Sequence, residues 1–302
     1  MSRRSWALFV AMCVIWGLPY LLIRVAVRDL SPANVVFART AIGALLLVPI
    51  AAWRGTIPAL RGHWRWVLIY TLVELAIPWY LLTSAEQHLT SSLAGLLVAA
   101  VPLIGVVLSR LFGNHEPVDA RRMTGLLVGI AGVAALVGLD LGQVNMVAVV
   151  MVLLVAVAYA TGPLILDRHL SDLPSMAVVA ASLAITAVIY APVALTSPPS
   201  HVSGEVIASV ITLAVICTAL AFLLFFALIA AIGPTRATVI TYVNPAVAIA
   251  LGVTILGEPL TSGMLVGFPL VIVGSVLATS HRVRPARDTS VQVTDPPVVT
   301  PG

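Results

Sequence analysis

Two charged side chains lie inside long apolar stretches of the sequence, and they are the residues best able to do chemistry there. Glu74 stands in one such stretch and Arg39 in the preceding one. A charge at the centre of a membrane span costs roughly 2.5–3.5 kcal/mol or more, so each must face a partner or a wet cavity. Glu74 could bind a proton or a substrate amine, or it could form an ion pair with Arg39 that only joins two helices. Both interpretations stay open at the level of the sequence.

Aromatic and amide side chains could complete a substrate site around Glu74. Tyr70 and Pro78 stand four residues before and after it, and therefore share its face of a helix. The other candidates for substrate contact lie in separate apolar stretches: Trp16, Tyr159, Tyr242 and Asn244. Packing is an equally simple role for each of these side chains, so that alternative also stays open.

The elements that hold these residues must be membrane spans. Apolar residues make up 60% of the 302 and charged residues 9%, whereas soluble domains carry about 25% charged residues. A span needs roughly 20 mostly apolar residues. This length predicts an all-α integral membrane protein with ten transmembrane helices, at about 6–27, 35–53, 65–83, 91–111, 122–139, 144–166, 175–195, 206–231, 236–256 and 262–280.

The composition also excludes several kinds of chemistry. All 16 basic residues are Arg, so the chain lacks the lysine that a P-loop or a Schiff base requires. The arginines are spread between the spans and form no basic stripe for nucleic acid. Cys13 and Cys217 lie in different spans and make neither a disulfide framework nor a metal site. We therefore expect no cofactor, no metal and no nucleic-acid partner.

The arginines predict the orientation of the spans. If the N-terminus is cytoplasmic, every arginine except Arg24, Arg28 and Arg39 lies in a cytoplasmic segment or at a cytoplasmic helix end. Short cytoplasmic loops of membrane proteins carry such an excess of positive charge. We therefore predict a cytoplasmic (inner) membrane protein with both termini in the cytoplasm. The polar, Pro-rich segment 281–302 is predicted to be a disordered cytoplasmic tail.

The chain contains an internal repeat. An offset of 143 residues aligns Trp16 with Tyr159, Pro49 with Pro192, Pro102 with Pro245 and, after one deletion, Glu116 with Glu258. Each copy, 6–139 and 144–280, holds five spans, and because five is odd the second copy is inverted. Inverted repeats are typical of secondary transporters, which bind substrate near the midplane between the halves. The offset places Glu74 and Arg39 on Cys217 and Ser182, so neither charge is repeated.

Prolines interrupt several of the spans. A proline inside a helix removes a backbone hydrogen bond and can kink the helix. We predict that Pro78, Pro102 and Pro245 are hinge or gating residues, since the last two are repeat partners. Membrane helices also tolerate prolines that have no such role.

Three motifs stand out in the sequence: Trp16-Gly17 in the first span, the stretch from Leu93-Ala94 to Pro102, and a Glu-Pro pair that occurs after both the fourth and the ninth span, at Glu116-Pro117 and Glu258-Pro259. With these motifs, residues 6–280 resemble the EamA family of the drug/metabolite transporter superfamily. The resemblance implies ten helices around a central cavity, with helices five and ten bracing it. It also implies export of amino acids, drugs or related metabolites.

The two motif glutamates stand at helix ends. Glu116 and Glu258 could each cap the N-terminus of the helix that follows, a contact worth about 0.3–1 kcal/mol. Gating is the alternative role.

Glycines stand four residues apart in helices five and ten (Gly125 and Gly129, Gly263 and Gly267), and this spacing lets helices approach closely. This pattern fits packing within one chain or, alternatively, a homodimer.

The predicted function is a secondary transporter that exports small metabolites by alternating access, with protons as a candidate coupling ion. Its expected partners are the lipid bilayer and a small-molecule substrate. One alternative is a facilitative, channel-like uniporter, although channels usually carry rings of polar side chains. The other is a membrane enzyme, for which no span carries a Ser/His/Asp or His-cluster constellation.

Overall fold

The computed structural model describes residues 2–111, 120–139, 144–233, 237 and 239–279, and its regular structure over these residues is entirely helical. Within this part of the chain nine helices are long and apolar enough to cross a membrane, and the other, α9, is an apolar helix of 17 residues. The all-α membrane fold with ten helices is therefore confirmed. In chain order they are α1 (Arg3–Ala26), α2 (Pro32–Trp53), α3 (Trp64–Ala85), α4 (Ser91–Val98 and Val101–Leu111), α5 (Ala120–Gly138), α6 (Met146–His169), α7 (Ser175–Thr196), α8 (Gly204–Ile232), α9 (Ile240–Leu256) and α10 (Ser262–Thr279).

The outer surface of the helices is apolar, as lipid requires. Leu45 of α2 is 74% exposed, and Val188 and Leu195 of α7 are 72% and 71% exposed. A helix that is apolar on all sides lies in a protein core or in a membrane. Because these side chains are not covered by the rest of the chain, the bilayer is the environment that shields them from water.

The ten helices pack as two inverted halves, α1–α5 and α6–α10. Helix α2 packs against its repeat partner α7, α4 against α9, and α5 against α10. Helix α1 packs against α8, and the equivalent pair α6 and α3 is also in contact. These contacts are thus related by the repeat, as two inverted repeats predict, while α10 also packs along α4.

Two of the helices contain a wider π-helical turn at equivalent places. These turns are Leu72–Ala76 in α3 and Val215–Leu220 in α8, and the 143-residue offset carries the start of the first onto the start of the second. In α3 the cause is local, because Pro78 has no N–H to donate to the carbonyl of Glu74. The carbonyl of Ala76, at the end of this turn, accepts a hydrogen bond of 2.9 Å from the Tyr190 hydroxyl of α7. Such turns are frequent at functional sites.

Polar contacts join the two halves at the end of the molecule where α1 ends and α8 begins. The main-chain N–H of Ser203 donates to the Asp29 carboxylate at 2.8 Å, and Arg28 lies 3.6 Å from Glu205. Hydrogen bonds from the side chain and the main chain of Ser203 lower the pKa of Asp29 below its ordinary value. The loops after α1 and after α7 are therefore tied together.

Candidate functional site

Glu74 lies in the π-helical turn of α3, and its carboxyl group points at α6. The carboxylate is packed so closely against Gly162 that a methyl group at position 162 would overlap it. Its Oε2 atom is buried and has no hydrogen-bond partner among the described residues. Glycine at 162 therefore makes room for an unpaired carboxyl group between the first and the second half of the molecule.

Arg39 is buried in α2, with 8% of its surface exposed. Its Nε donates to the Thr218 hydroxyl of α8 at 2.8 Å, and its guanidinium lies 3.7 Å from the centre of the Trp79 ring. The ion pair with Glu74, one of the two alternatives drawn from the sequence, is not formed. The reason is geometric, since Arg39 turns toward α8 while Glu74 turns toward α6.

The repeat partner of Arg39 makes the equivalent contact across the halves. Ser182 of α7 accepts a hydrogen bond of 2.9 Å from the Thr71 hydroxyl of α3. Helix α2 thus contacts α8, and its repeat partner α7 contacts α3. Each contact lies in or beside the π-helical turn of α8 or α3. Only the first half places a charge there, so this part of the interface is asymmetric.

Tyr70 and Tyr159 belong to the same polar region as Glu74. Tyr70 is buried in the turn of α3 that precedes Glu74, and both tyrosines lie within electrostatic range of its carboxyl group. Tyr159 of α6 is also within range of Arg39. The structure therefore brings four of the predicted residues together: Glu74, Arg39, Tyr70 and Tyr159.

The remaining three candidates have packing partners elsewhere. Trp16 lies at the break between the two parts of α1, with its ring centroid 4.6 Å from that of Phe225. The Tyr242 hydroxyl lies 2.7 Å from that of Thr279 in α10. The side-chain nitrogen of Asn244, once its amide is oriented to suit its neighbours, donates to main-chain carbonyls of Ile240 and Cys13 at 2.9 and 3.1 Å. These contacts join helices, and we do not place these three side chains in the site.

Trp79, Thr218 and Gly162 are site residues that the sequence analysis missed. Trp79 stands five residues after Glu74 and shares its helix face only because the π-helical turn adds a residue. Thr218 follows Cys217, the repeat partner of Glu74, and this position in the repeat could have identified Thr218 as a candidate site residue. No signal marked Gly162. Among the described residues, no three His, Cys, Asp or Glu side chains lie close enough to hold a metal ion.

The three predicted hinge prolines occupy different settings. Pro78 follows the π-helical turn of α3. Pro102 begins the second part of α4, after a break at residues 99–100. Its repeat partner Pro245 instead lies inside the continuous helix α9. The backbone interruptions thus lie at Pro78 and Pro102, while a hinge at Pro245 stays a prediction.

Glu258 caps a helix, although not the one that was predicted. Its carboxylate accepts hydrogen bonds from the main-chain N–H groups of Ser91 and Ser92, at 2.7 and 2.9 Å, and from the Ser92 hydroxyl at 2.5 Å. The cap therefore lies on α4 of the other half. The following helix α10 needs no such cap, because the Thr261 hydroxyl accepts from its Met264 N–H. Glu116, the other motif glutamate, lies outside the described residues, as does the tail 281–302.

Two glycines allow Glu258 to reach α4. Gly257 adopts a left-handed conformation (φ 67°) that ends α9 and turns the chain back, a conformation that costs glycine least. Gly252 lies where α9 passes the start of α4, and a methyl group there would overlap both Glu258 and the Ser92 hydroxyl.

The glycines of α5 lie against α10. A methyl group at Gly132 would come within 2.6 Å of the Val271 nitrogen and 2.9 Å of the Gly267 carbonyl. One at Gly125 would come within 2.8 Å of the Gly274 carbonyl. These glycines serve close packing within one chain, and a homodimer stays a prediction.

Comparison with known proteins gives a match over nearly the whole chain. The model of the EamA-like transporter family matches twice, over residues 4–138 and 146–280. The uncharacterized inner membrane transporter YedA of Escherichia coli (strain K12) is 30% identical over 282 residues, which cover 90% of this chain and 89% of YedA. The uncharacterized transporter YvbV of Bacillus subtilis (strain 168) is 26% identical, with 92% of each chain covered. A crystal structure described only as that of a protein has the same fold, with a TM-score of 0.65, 20% identity, and coverage of 92% of this chain and 97% of its own.

Proposed function

We propose that this chain, which belongs to the EamA-like transporter family, is a secondary transporter that exports small metabolites by alternating access. Family membership makes it a multi-pass membrane transporter; export, the substrate and the mechanism are our proposal. The observation that carries it is the Glu74 carboxyl group, which meets α6 at the junction of the halves and whose buried Oε2 atom has no hydrogen-bond partner among the described residues. Such a group in a membrane span is costly and needs a function.

The chemistry of the site suits a small substrate with an amine. Glu74 is available for a proton or an amine, because no cationic side chain among the described residues pairs with it. Arg39 offers a guanidinium held by Thr218 and Trp79, which leaves its terminal nitrogens for a carboxylate. A carboxyl and a guanidinium that are not paired with each other could hold the two ends of an amino acid. A cationic drug would use Glu74 alone.

The packing of the helices supports alternating access. Helices α2, α4 and α5 pack against their repeat partners, and the contact of α1 with α8 has its counterpart in that of α6 with α3. The halves can therefore exchange these conformations without new kinds of contact. The π-helical turns in α3 and α8 place irregular backbone beside the site in both halves. We propose that the halves rock about this region and that release of a proton from Glu74 accompanies substrate binding.

The proposed location is the cytoplasmic membrane, with both termini in the cytoplasm. The distribution of the arginines supports this orientation, and one relative is named as an inner membrane transporter. Reporter fusions at both termini test it, because an N-terminal fusion exposed outside the cell would contradict the proposal. In this orientation the Asp29 end of the molecule faces outward.

Transport by purified protein in liposomes tests the function. Labelled amino acids and cationic drugs would be supplied one at a time, with protein-free liposomes as the control. We expect saturable uptake and counterflow, in which unlabelled substrate on one side drives labelled substrate against its own gradient. Uptake that neither saturates nor shows counterflow would favour the facilitative, channel-like alternative.

A further inference from the structure

A second glutamate has a buried carboxyl group that the proposed site does not use. Glu86 is the residue after the end of α3, and its side chain is fully buried. Neither carboxyl oxygen has a hydrogen-bond partner among the described residues. A buried carboxylate without a partner is strongly disfavoured, and the neutral acid is the form that such a site accepts.

The neighbourhood of Glu86 contains a cation that contacts its backbone instead of its carboxyl group. Arg24 of α1 donates from Nη1 to the main-chain carbonyl of Glu86 at 2.5 Å. The guanidinium is thus within a side-chain rotation of the carboxyl group without being paired to it. Five charged or titratable groups lie within electrostatic range of Glu86, from four parts of the chain: Tyr20 and Arg24 of α1, Arg39 of α2, Tyr159 of α6, and Glu258 after α9.

A cavity lies directly beside this group. It has a volume of about 500 Å³, and its walls include Arg24, Gln87, Thr90 and Glu258. Because Arg24 contacts both the cavity and Glu86, a movement of its side chain would connect the buried carboxyl group with water. Tyr159 is within electrostatic range of both Glu86 and Glu74.

We propose that Glu86 is a second proton-binding group of the transport cycle, separate from Glu74 and reached from the outer end. In this conformation it holds its proton as a carboxylic acid. When the outer end opens, the proton passes to water in the cavity, and the carboxylate that remains pairs with the Arg24 guanidinium. This inference rests on the proposed transport function for its role, but not for the protonation of Glu86 itself.

Infrared difference spectroscopy of the purified protein tests the protonation directly. A titration to alkaline pH should remove the signals of protonated carboxyl groups. In Glu86→Gln the part of this loss that belongs to Glu86 should be missing, while the part that belongs to Glu74 should remain. The matched control is Glu205→Gln, which removes an exposed carboxylate at the same end (side chain 79% exposed) and should leave the signal unchanged. If Glu86→Gln retains every carboxyl signal of the wild type, Glu86 is ionised and the inference is wrong.

Transport tests the role of the proton. Glutamine has the shape of the protonated acid, so Glu86→Gln should fold and keep saturable counterflow, while its rate responds less to the outside pH than the wild-type rate does. A wild-type pH profile in this variant would overturn the inference and leave the transporter proposal intact. If the wild type shows no saturable transport, the transporter proposal fails, and the infrared signal still decides whether Glu86 holds a proton.

Discussion

Replacing Glu258 with alanine removes the cap that joins the end of α9 to the start of α4. The carboxylate holds two main-chain N–H groups and one hydroxyl and is only 9% exposed. Since Glu258 and Ser91 belong to different halves, this cap stabilises the contact between the halves. Its loss should therefore lower the stability of the whole membrane domain.

The size of the effect follows from the two N–H groups that lose their acceptor. Each buried donor without a partner costs about 1–3 kcal/mol, which gives roughly 2–6 kcal/mol for the pair. The neighbouring cavity admits water to the site, so we expect the lower half of that range, about 2–4 kcal/mol. Glu258→Gln keeps one acceptor oxygen and loses the charge; because charge-assisted hydrogen bonds are roughly twice as strong as neutral ones, its cost should be about half.

Denaturant unfolding in detergent micelles, followed by fluorescence of the six tryptophans, measures the difference. The control is Glu205→Ala, which removes a carboxylate from an exposed ion pair and should cost about 0–1 kcal/mol. The expected order of stability is wild type, then Glu258→Gln, then Glu258→Ala. If Glu258→Ala unfolds within about 0.5 kcal/mol of the wild type, the cap contributes little and the reasoning is wrong.

Two further predictions concern the site and the loops. Gly162→Ala should displace the Glu74 carboxyl group and abolish transport. The control is Gly105→Ala, where a new methyl group would stand 4.0 Å from its nearest neighbour, and this variant should transport normally. Equal transport by both variants would contradict the placement of Glu74. Asp29 has a lowered pKa because Ser203 donates hydrogen bonds to it, so the contact should persist at neutral pH and be lost as the pH falls through the lowered value. Hydrogen exchange of the Ser203 amide, corrected for its intrinsic pH dependence, should then show reduced protection at acid pH in the wild type and at every pH in Asp29→Ala.

The spans, the repeat and the central position of Glu74 could be predicted because their signals are local. Hydropathy over about 20 residues is enough to locate a span, and a charge within it is visible in the sequence. The inverted arrangement followed from the odd number of spans in each copy. The contacts of the halves then confirmed the fold that the family resemblance implied.

The partners of the charges could not be predicted in the same way. Arg39 bonds to Thr218, which is 179 residues away, and a neutral hydroxyl gives no charge signal in the sequence. Glu258 caps α4 rather than α10 because Gly257 reverses the chain, and local sequence does not show which helix lies within reach. Glu86 escaped notice because it stands at a span end beside polar residues, where a carboxylate is ordinarily in water.

The most direct test of the account compares wild-type protein with Glu74→Gln in liposomes, with and without a pH gradient. The account predicts saturable, pH-dependent transport by the wild type. In the folded variant, transport should fall and its pH dependence should be weaker than that of the wild type, since only the contribution of Glu86 remains. Loss of a charge-assisted contact of about 1.5–3 kcal/mol corresponds to a decrease of roughly 10- to 150-fold in affinity for a substrate amine. Transport by Glu74→Gln with wild-type rate, affinity and pH dependence would contradict the central claim, because Glu74 would then be a structural residue.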